Sequence, residues 1–155
     1  MTLTPNFLPV GSIVEYDYKN ELGKMPVVVY GIHPPTPQKE PRLDGKWLVD
    51  IWVDGTTYIT TPIDDISPIP LTPEILTEWC NFCVKDMGSS RLFYIGVNPI
   101  THDYLFDLTW LDKPELINSP NAPFYRNGAH HIYFLHQLQH LYSALTQTVL
   151  PITIK

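Results

Sequence analysis

Residues 47–60 read WLVDIWVDGTTYIT, and the reading of this stretch decides the fold class. Two runs rich in β-branched and aromatic residues flank Asp54-Gly55, a pair that supplies the positive φ of a tight turn, so the stretch predicts a β-hairpin. Upstream, SIVEYDY (12–18) and MPVVVYGI (25–32) enclose NELGK with its glycine and predict another hairpin. Between the two hairpins, HPPTPQKEPRLDG (33–45) holds four prolines and predicts an extended, exposed loop. Four short strands so closely spaced indicate a small barrel or a strongly bent sheet.

Composition agrees with a β-rich globular chain. Of 155 residues, 44% are hydrophobic and 17% charged, which excludes a disordered polymer. Sixteen prolines are about twice the usual share, and each removes a backbone donor, so short strands and rigid loops are favoured over long helices. The net charge is −6, and the only arginines are Arg42, Arg91 and Arg126. No basic stripe is present to release counterions from a nucleic-acid backbone, so generic DNA or RNA binding is not expected. One or two arginines still suffice to hold a small anion. The N-terminus lacks a basic region followed by an apolar run, and no stretch approaches membrane-spanning length, so the chain reads as cytosolic, with no membrane partner.

After residue 66 the pattern changes. Ser67-Pro68-Ile69-Pro70 is extended, and Thr72-Pro73-Glu74 predicts a helix start, with Thr72 as N-cap and Pro73 in the first turn. Leu71 and Leu76 flank that cap, and the helix is expected to run to about Cys83. RLFYIGV (91–97), a turn at Asn98-Pro99 and DYLFDLTW (103–110) predict a further hairpin. DKPELINSPNAPFYRNG (112–128) is loop chemistry with aromatics embedded in it. HHIYFLHQLQHLYSALT (130–146) predicts a C-terminal amphipathic helix preceded by a strand, and VLPITIK (149–155) a last strand. The fold class expected is therefore α+β, organised as a barrel-like subdomain over residues 1–71 and an α+β subdomain over residues 72–155.

Four of six histidines fall in the C-terminal stretch and invite a metal reading. At about 100° per residue, Phe134, Leu135, Leu138, Leu141, Tyr142 and Leu145 share an arc roughly 120° wide, the expected core face. His136 and His140 point away from that arc, toward an interface or a pocket rim. A zinc site needs a third ligand, and the metalloprotease motif places glutamate where Gln137 stands, so no metal is expected. Cys80 and Cys83 read as ordinary thiols, since a redox pair gains its reactivity at a helix N-terminus and these two fall at a C-terminal end. No phosphate loop, nucleophile elbow or paired zinc-ligand motif appears, so neither a cofactor nor catalysis is expected. Tyr125, Arg126 and Asn127 place a stacking ring, a fork of donors and an amide together. With Arg91 and Phe124 they form the expected binding set for a small anionic nucleotide-like ligand.

Two segments carry a resemblance: Ile66-Ser67-Pro68-Ile69-Pro70-Leu71-Thr72-Pro73-Glu74-Ile75-Leu76, and His136-Gln137-Leu138-Gln139-His140-Leu141-Tyr142-Ser143-Ala144-Leu145-Thr146. In order and spacing they resemble an uncharacterised family of short proteins encoded by Bacteroidetes phages and prophages, over roughly residues 10–154. In that family a glycine usually follows the second motif, where this chain has Gln147. The resemblance implies a small phage accessory protein acting in the host cytoplasm. Such proteins bind a host protein, or sequester a nucleotide signal of host immunity. The leading expectation is the second of these, a non-enzymatic, self-associating protein that sequesters a nucleotide-derived signal. The alternatives are a protein–protein module that uses residues 33–45 and the histidine face, and a phosphodiester-cleaving enzyme that uses histidines.

Overall fold

A computed structural model describes residues 3–5, 8–19, 22–53, 56–111, 125–127 and 130–154. The fold is α+β and β-rich, with two five-stranded antiparallel sheets and one main α-helix near the C-terminus. The chain divides into two compact units, Met1–Ile69 and Pro70–Lys155, where the sequence places the division after residue 71. Among the described residues no helix is long and apolar enough to cross a membrane.

In the first unit, β1 (Ile13–Asp17), β2 (Lys24–His33), β3 (Leu48–Val53) and β4 (Thr57–Pro62) form a meander of hairpins. A short 3₁₀ turn, Ile63–Asp65, then returns the chain so that β5 (Ile66–Ser67) pairs with β1, giving the order β4-β3-β2-β1-β5. The turn residues Asp54 and Gly55 lie outside the described residues, but the β3–β4 register runs from Leu48↔Pro62 to Val53↔Thr57. Alternation sets the faces: Val49 and Ile51 are fully buried with Val14, Val27, Val29 and Leu8, while Asp50 and Trp52 point the other way. A bulge in β2 between Val29 and Gly31 shifts the register, so Gly31 rather than Tyr30 pairs with Asp50.

Of the loop expected at residues 33–45, His33 ends β2 and the rest contains no strand, yet it is fixed. Arg42 Nη2 donates to Thr61 Oγ1 at 3.1 Å and bonds the Asp65 carboxylate, to which Thr61 Oγ1 also donates at 2.8 Å. Burial opposes the charge on Asp65, but the bonds from Arg42 and Thr61 outweigh it and hold this carboxyl below its ordinary range. Within the loop, Gln38 N donates to Asp44 Oδ1 at 2.9 Å.

In the second unit, β6 (Cys83–Asp86), β7 (Ser90–Val97), β8 (Tyr104–Leu111), β9 (Tyr125–Asn127) and β10 (His130–Ile132) follow one another across the sheet. The expected hairpin is β7–β8; Asn98 Oδ1 accepts from the N–H groups of Ile100 and Thr101 and so organises its turn. Helix α1 (Leu135–Thr146) packs on β8, with the Tyr142 ring edge-on to Phe106 at 5.1 Å.

Three expectations need correction here. The helix after Thr72 is a single wide turn, Ile75–Trp79, closed by a bond from Cys80 N to Ile75 O. Thr72 does cap it, accepting from Ile75 N at 3.2 Å. Cys83, the expected end of that helix, instead opens the edge strand β6, whose four residues are all exposed. Finally, the C-terminal tail forms no strand: among its described residues, Thr153 N donates to Trp79 O at 2.8 Å and no ladder follows.

Candidate functional site

The helix α1 departs most from its expected geometry. Its buried residues are Leu135, His136, Leu138 and Tyr142, an arc of about 160° turned well away from the one that the leucines define. Leu145 is 56% exposed, and His136, expected to face outward, is only 1% exposed. The His136 ring stacks on Phe134 at 5.9 Å and 14°, and neither of its nitrogens has a hydrogen-bond partner. Burial alone pushes its pKa down to about 4, so the ring is neutral. His140 is exposed as expected. Gln137 has a structural task, since its Oε1 accepts from the N–H groups of Tyr133 and Phe134 and closes the start of the helix.

The cysteines differ from each other. Cys80 is fully buried, which drives its thiol up to about 12, whereas Cys83 is exposed on the edge strand. Burial, not a helix dipole, raises Cys80. Among the described residues no group of three or more histidine, cysteine or acidic side chains is placed to hold a metal ion.

Of the expected ligand-binding set, Phe124 lies outside the described residues, and of Tyr125 and Arg126 the backbone is described. Arg91 pairs in register with Trp110, and Trp110 with Tyr125, so these three occupy one row across β7, β8 and β9. The Arg91 guanidinium carbon sits 3.7 Å above the Trp110 ring. Arg126 belongs to the next row, between Thr109 and His131. Asn127 spends its Nδ2 on the carbonyl of Asp107 at 2.8 Å, so half of its amide is structural.

A second arrangement lies in the first unit. Strand β3 places Leu48, Asp50 and Trp52 on the side opposite Val49 and Ile51, Leu48 itself buried, and the register extends each into a row: His33–Leu48–Pro62, Gly31–Asp50–Thr60 and Val28–Trp52–Tyr58. The bulged Tyr30 adds a ring 5.9 Å from Trp52. Tyr30 and Tyr58 are 62% and 61% exposed, so the row forms an open aromatic platform. Beside it, Asp50 accepts from Thr60 Oγ1 at 2.5 Å and pairs with His33 Nε2 at 2.6 Å. Burial opposes the charge on Asp50, but the bonds from Thr60 and His33 prevail and lower its pKa. Asp50 is thus a carboxylate, an acceptor only.

At the far end of these rows the loop borders an open pocket of about 430 Å³, lined by His33, Thr36, Gln38 and Thr60 with Pro34, Leu43 and Leu48. That volume falls within the range of small-molecule sites. Sequence reasoning passed over His33 because its partners Asp50 and Thr60 are remote in the chain. The available signal was the acid in WLVDIWV: a carboxylate alternating with apolar residues in a strand must find a donor on the same face. No protein-family model, no curated protein and no solved structure matches this chain.

Proposed function

We propose that this chain is a non-catalytic, phage-encoded accessory protein that binds and sequesters a small nucleotide-derived signal in the host cytoplasm. The base is held against the outward face of β2, β3 and β4. One observation carries the reading: a cavity of about 430 Å³ with four hydrogen-bonding side chains in its wall lies on the sheet face that exposes Tyr30, Trp52 and Tyr58. Exposed rings gain by being covered, and base–aromatic stacking is worth about 1–3 kcal/mol per base. The ring that stacks on the base is then Trp52. The contact of Arg91 and Arg126 with an anion is a separate proposal, confined to the second sheet.

Calorimetry against cyclic nucleotides and ADP-ribose derivatives tests the reading. Binding heat from wild type, and about tenfold weaker affinity for Trp52→Ala, are expected. No heat from any of them with folded protein counts against it. Recovery of intact ligand after long incubation separates binding from turnover.

A second reading, contact with a protein, has its own support. Val97, Ile100 and Leu105 of the second unit are 47%, 86% and 65% exposed, and a self-associating chain would cover such side chains. Sedimentation of wild type beside Leu105→Asp tests it: dissociation of a wild-type oligomer by the substitution is expected, and a monomeric wild type removes the support.

A further inference from the structure

Carboxylates and histidines often pair at a protein surface, but this pair has been given space. The bulge in β2 brings Gly31 opposite Asp50, and a Cβ at Gly31 would lie 3.0 Å from Asp50 Oδ2, the oxygen that bonds His33. Thr60 fills the other carboxylate oxygen at 2.5 Å. The carboxylate is therefore held through both oxygens, and a side chain at position 31 would crowd the one that bonds His33.

In the neutral ring the clamp fixes the tautomer. A carboxylate oxygen can only accept, so Nε2 must carry the proton of the 2.6 Å bond, and in the neutral ring Nδ1 is left as a lone pair. His33 lines the pocket, and with Nε2 bonded to Asp50, Nδ1 is the ring nitrogen left to meet a ligand. We propose that His33 Nδ1 is a pre-set hydrogen-bond acceptor that selects ligands presenting an N–H or O–H donor at the edge of a stacked ring. This rests on the cavity as the ligand site and adds which edge of the ligand it reads. A nucleobase with a ring N–H satisfies it. The same base methylated at that nitrogen leaves Nδ1 unpaired and crowds it, and sites built on a hydrogen bond reject such analogues strongly.

Asp50 acts through His33 and is a positioning residue, so its substitution should weaken or invert the selection. In Asp50→Asn the amide presents a donor or an acceptor; turned with its Nδ2 toward the ring, it accommodates the opposite tautomer, with the proton on Nδ1. Two measurements test the proposal. First, nitrogen-resolved NMR of the His33 ring should find Nε2 protonated and Nδ1 bare in the wild-type neutral form, and a shift of the proton toward Nδ1 in Asp50→Asn. A wild-type ring protonated on Nδ1, or an unchanged tautomer in the variant, overturns the proposal. Second, affinities for inosine and N1-methylinosine should differ by at least about tenfold in wild type, and the difference should shrink or invert in Asp50→Asn. Equal affinities in wild type overturn it as well. If neither nucleoside binds while the tautomers behave as stated, the ligand reading of the cavity fails and the pre-set acceptor stands. Thr60→Val, which frees Asp50 Oδ1 and so loosens the carboxylate that orients His33, serves as the second variant if Asp50→Asn does not fold: it should weaken the discrimination without inverting it, and full wild-type discrimination in it contradicts the role given to the clamp.

Discussion

Acidification should destabilise this protein through His136. In the folded chain the ring titrates at about 4, against 6.5 for a free histidine. The unfolded chain therefore takes up the proton first as pH falls below 6.5. Stability from the neutral, buried ring is complete above that value, declines as pH falls, and is fully lost below the folded value near 4. At about 1.36 kcal/mol per unit, the whole loss is about 3 kcal/mol, of which about 2 kcal/mol falls between pH 7 and pH 5. Urea unfolding followed by tryptophan fluorescence at those two pH values reads this directly, with His136→Leu as the comparison. Leucine cannot titrate and has no polar atoms to leave unpaired, so the variant should lose about 2 kcal/mol less on acidification. At pH 7 it should be more stable than wild type by about 1 kcal/mol, because two unpartnered nitrogens leave the interior. Identical pH dependence in the two proteins refutes the assignment. A variant that unfolds at pH 7 would mean that the histidine nitrogens make bonds essential to the fold.

Further outcomes follow from the local geometry. Gln147 ends α1 in the left-handed region at φ 59, so Gln147→Gly should stabilise by about 0.5–1 kcal/mol, read as a higher urea midpoint, although it forfeits the exposed bond from Nε2 to Ala144 O. A thiol reagent should modify Cys83 promptly in the native protein and Cys80 only on unfolding, counted by mass spectrometry over time. Arg42→Ala releases the loop of residues 33–45 from Asp65 and Thr61; since Arg42 is half exposed the cost is modest, about 1 kcal/mol, with faster amide exchange at Gln38 and Gly45 as the specific sign. Because Asp65 is held below its ordinary range, its share of stability is present above that range and lost as pH falls through the folded value. Arg42→Ala should therefore flatten the acid limb of the stability profile.

The parts of this fold legible in the sequence were those set by nearest neighbours. Hairpins β1–β2, β3–β4 and β7–β8 follow from period-two alternation and from turn residues such as Asn98, whose chemistry acts over a few positions. Strand β6 escaped because its four residues are all exposed and carry no alternation. The face of α1 was misplaced because counting leucines assigns Leu145 to the interior and His136 to solvent, whereas packing reverses the two. Tertiary burial overrode hydrophobic patterning there, and no local rule signals it. The expected ligand residues Arg91 and Tyr125 do fall on one sheet row, through Trp110. The cavity at His33 was hidden for another reason. It depends on a bulge at Tyr30 and on three strands in register, so its residues converge only once the sheet has formed.

The central claim is that the outward face of the first sheet is where ligand binds. Two-dimensional NMR of labelled protein, titrated with whichever nucleotide derivative releases the most heat in calorimetry, tests it most directly. The account predicts progressive shifts at Tyr30, His33, Asp50, Trp52, Tyr58 and Thr60, saturating with the calorimetric affinity. Saturating shifts elsewhere, with those six residues unmoved, would contradict it.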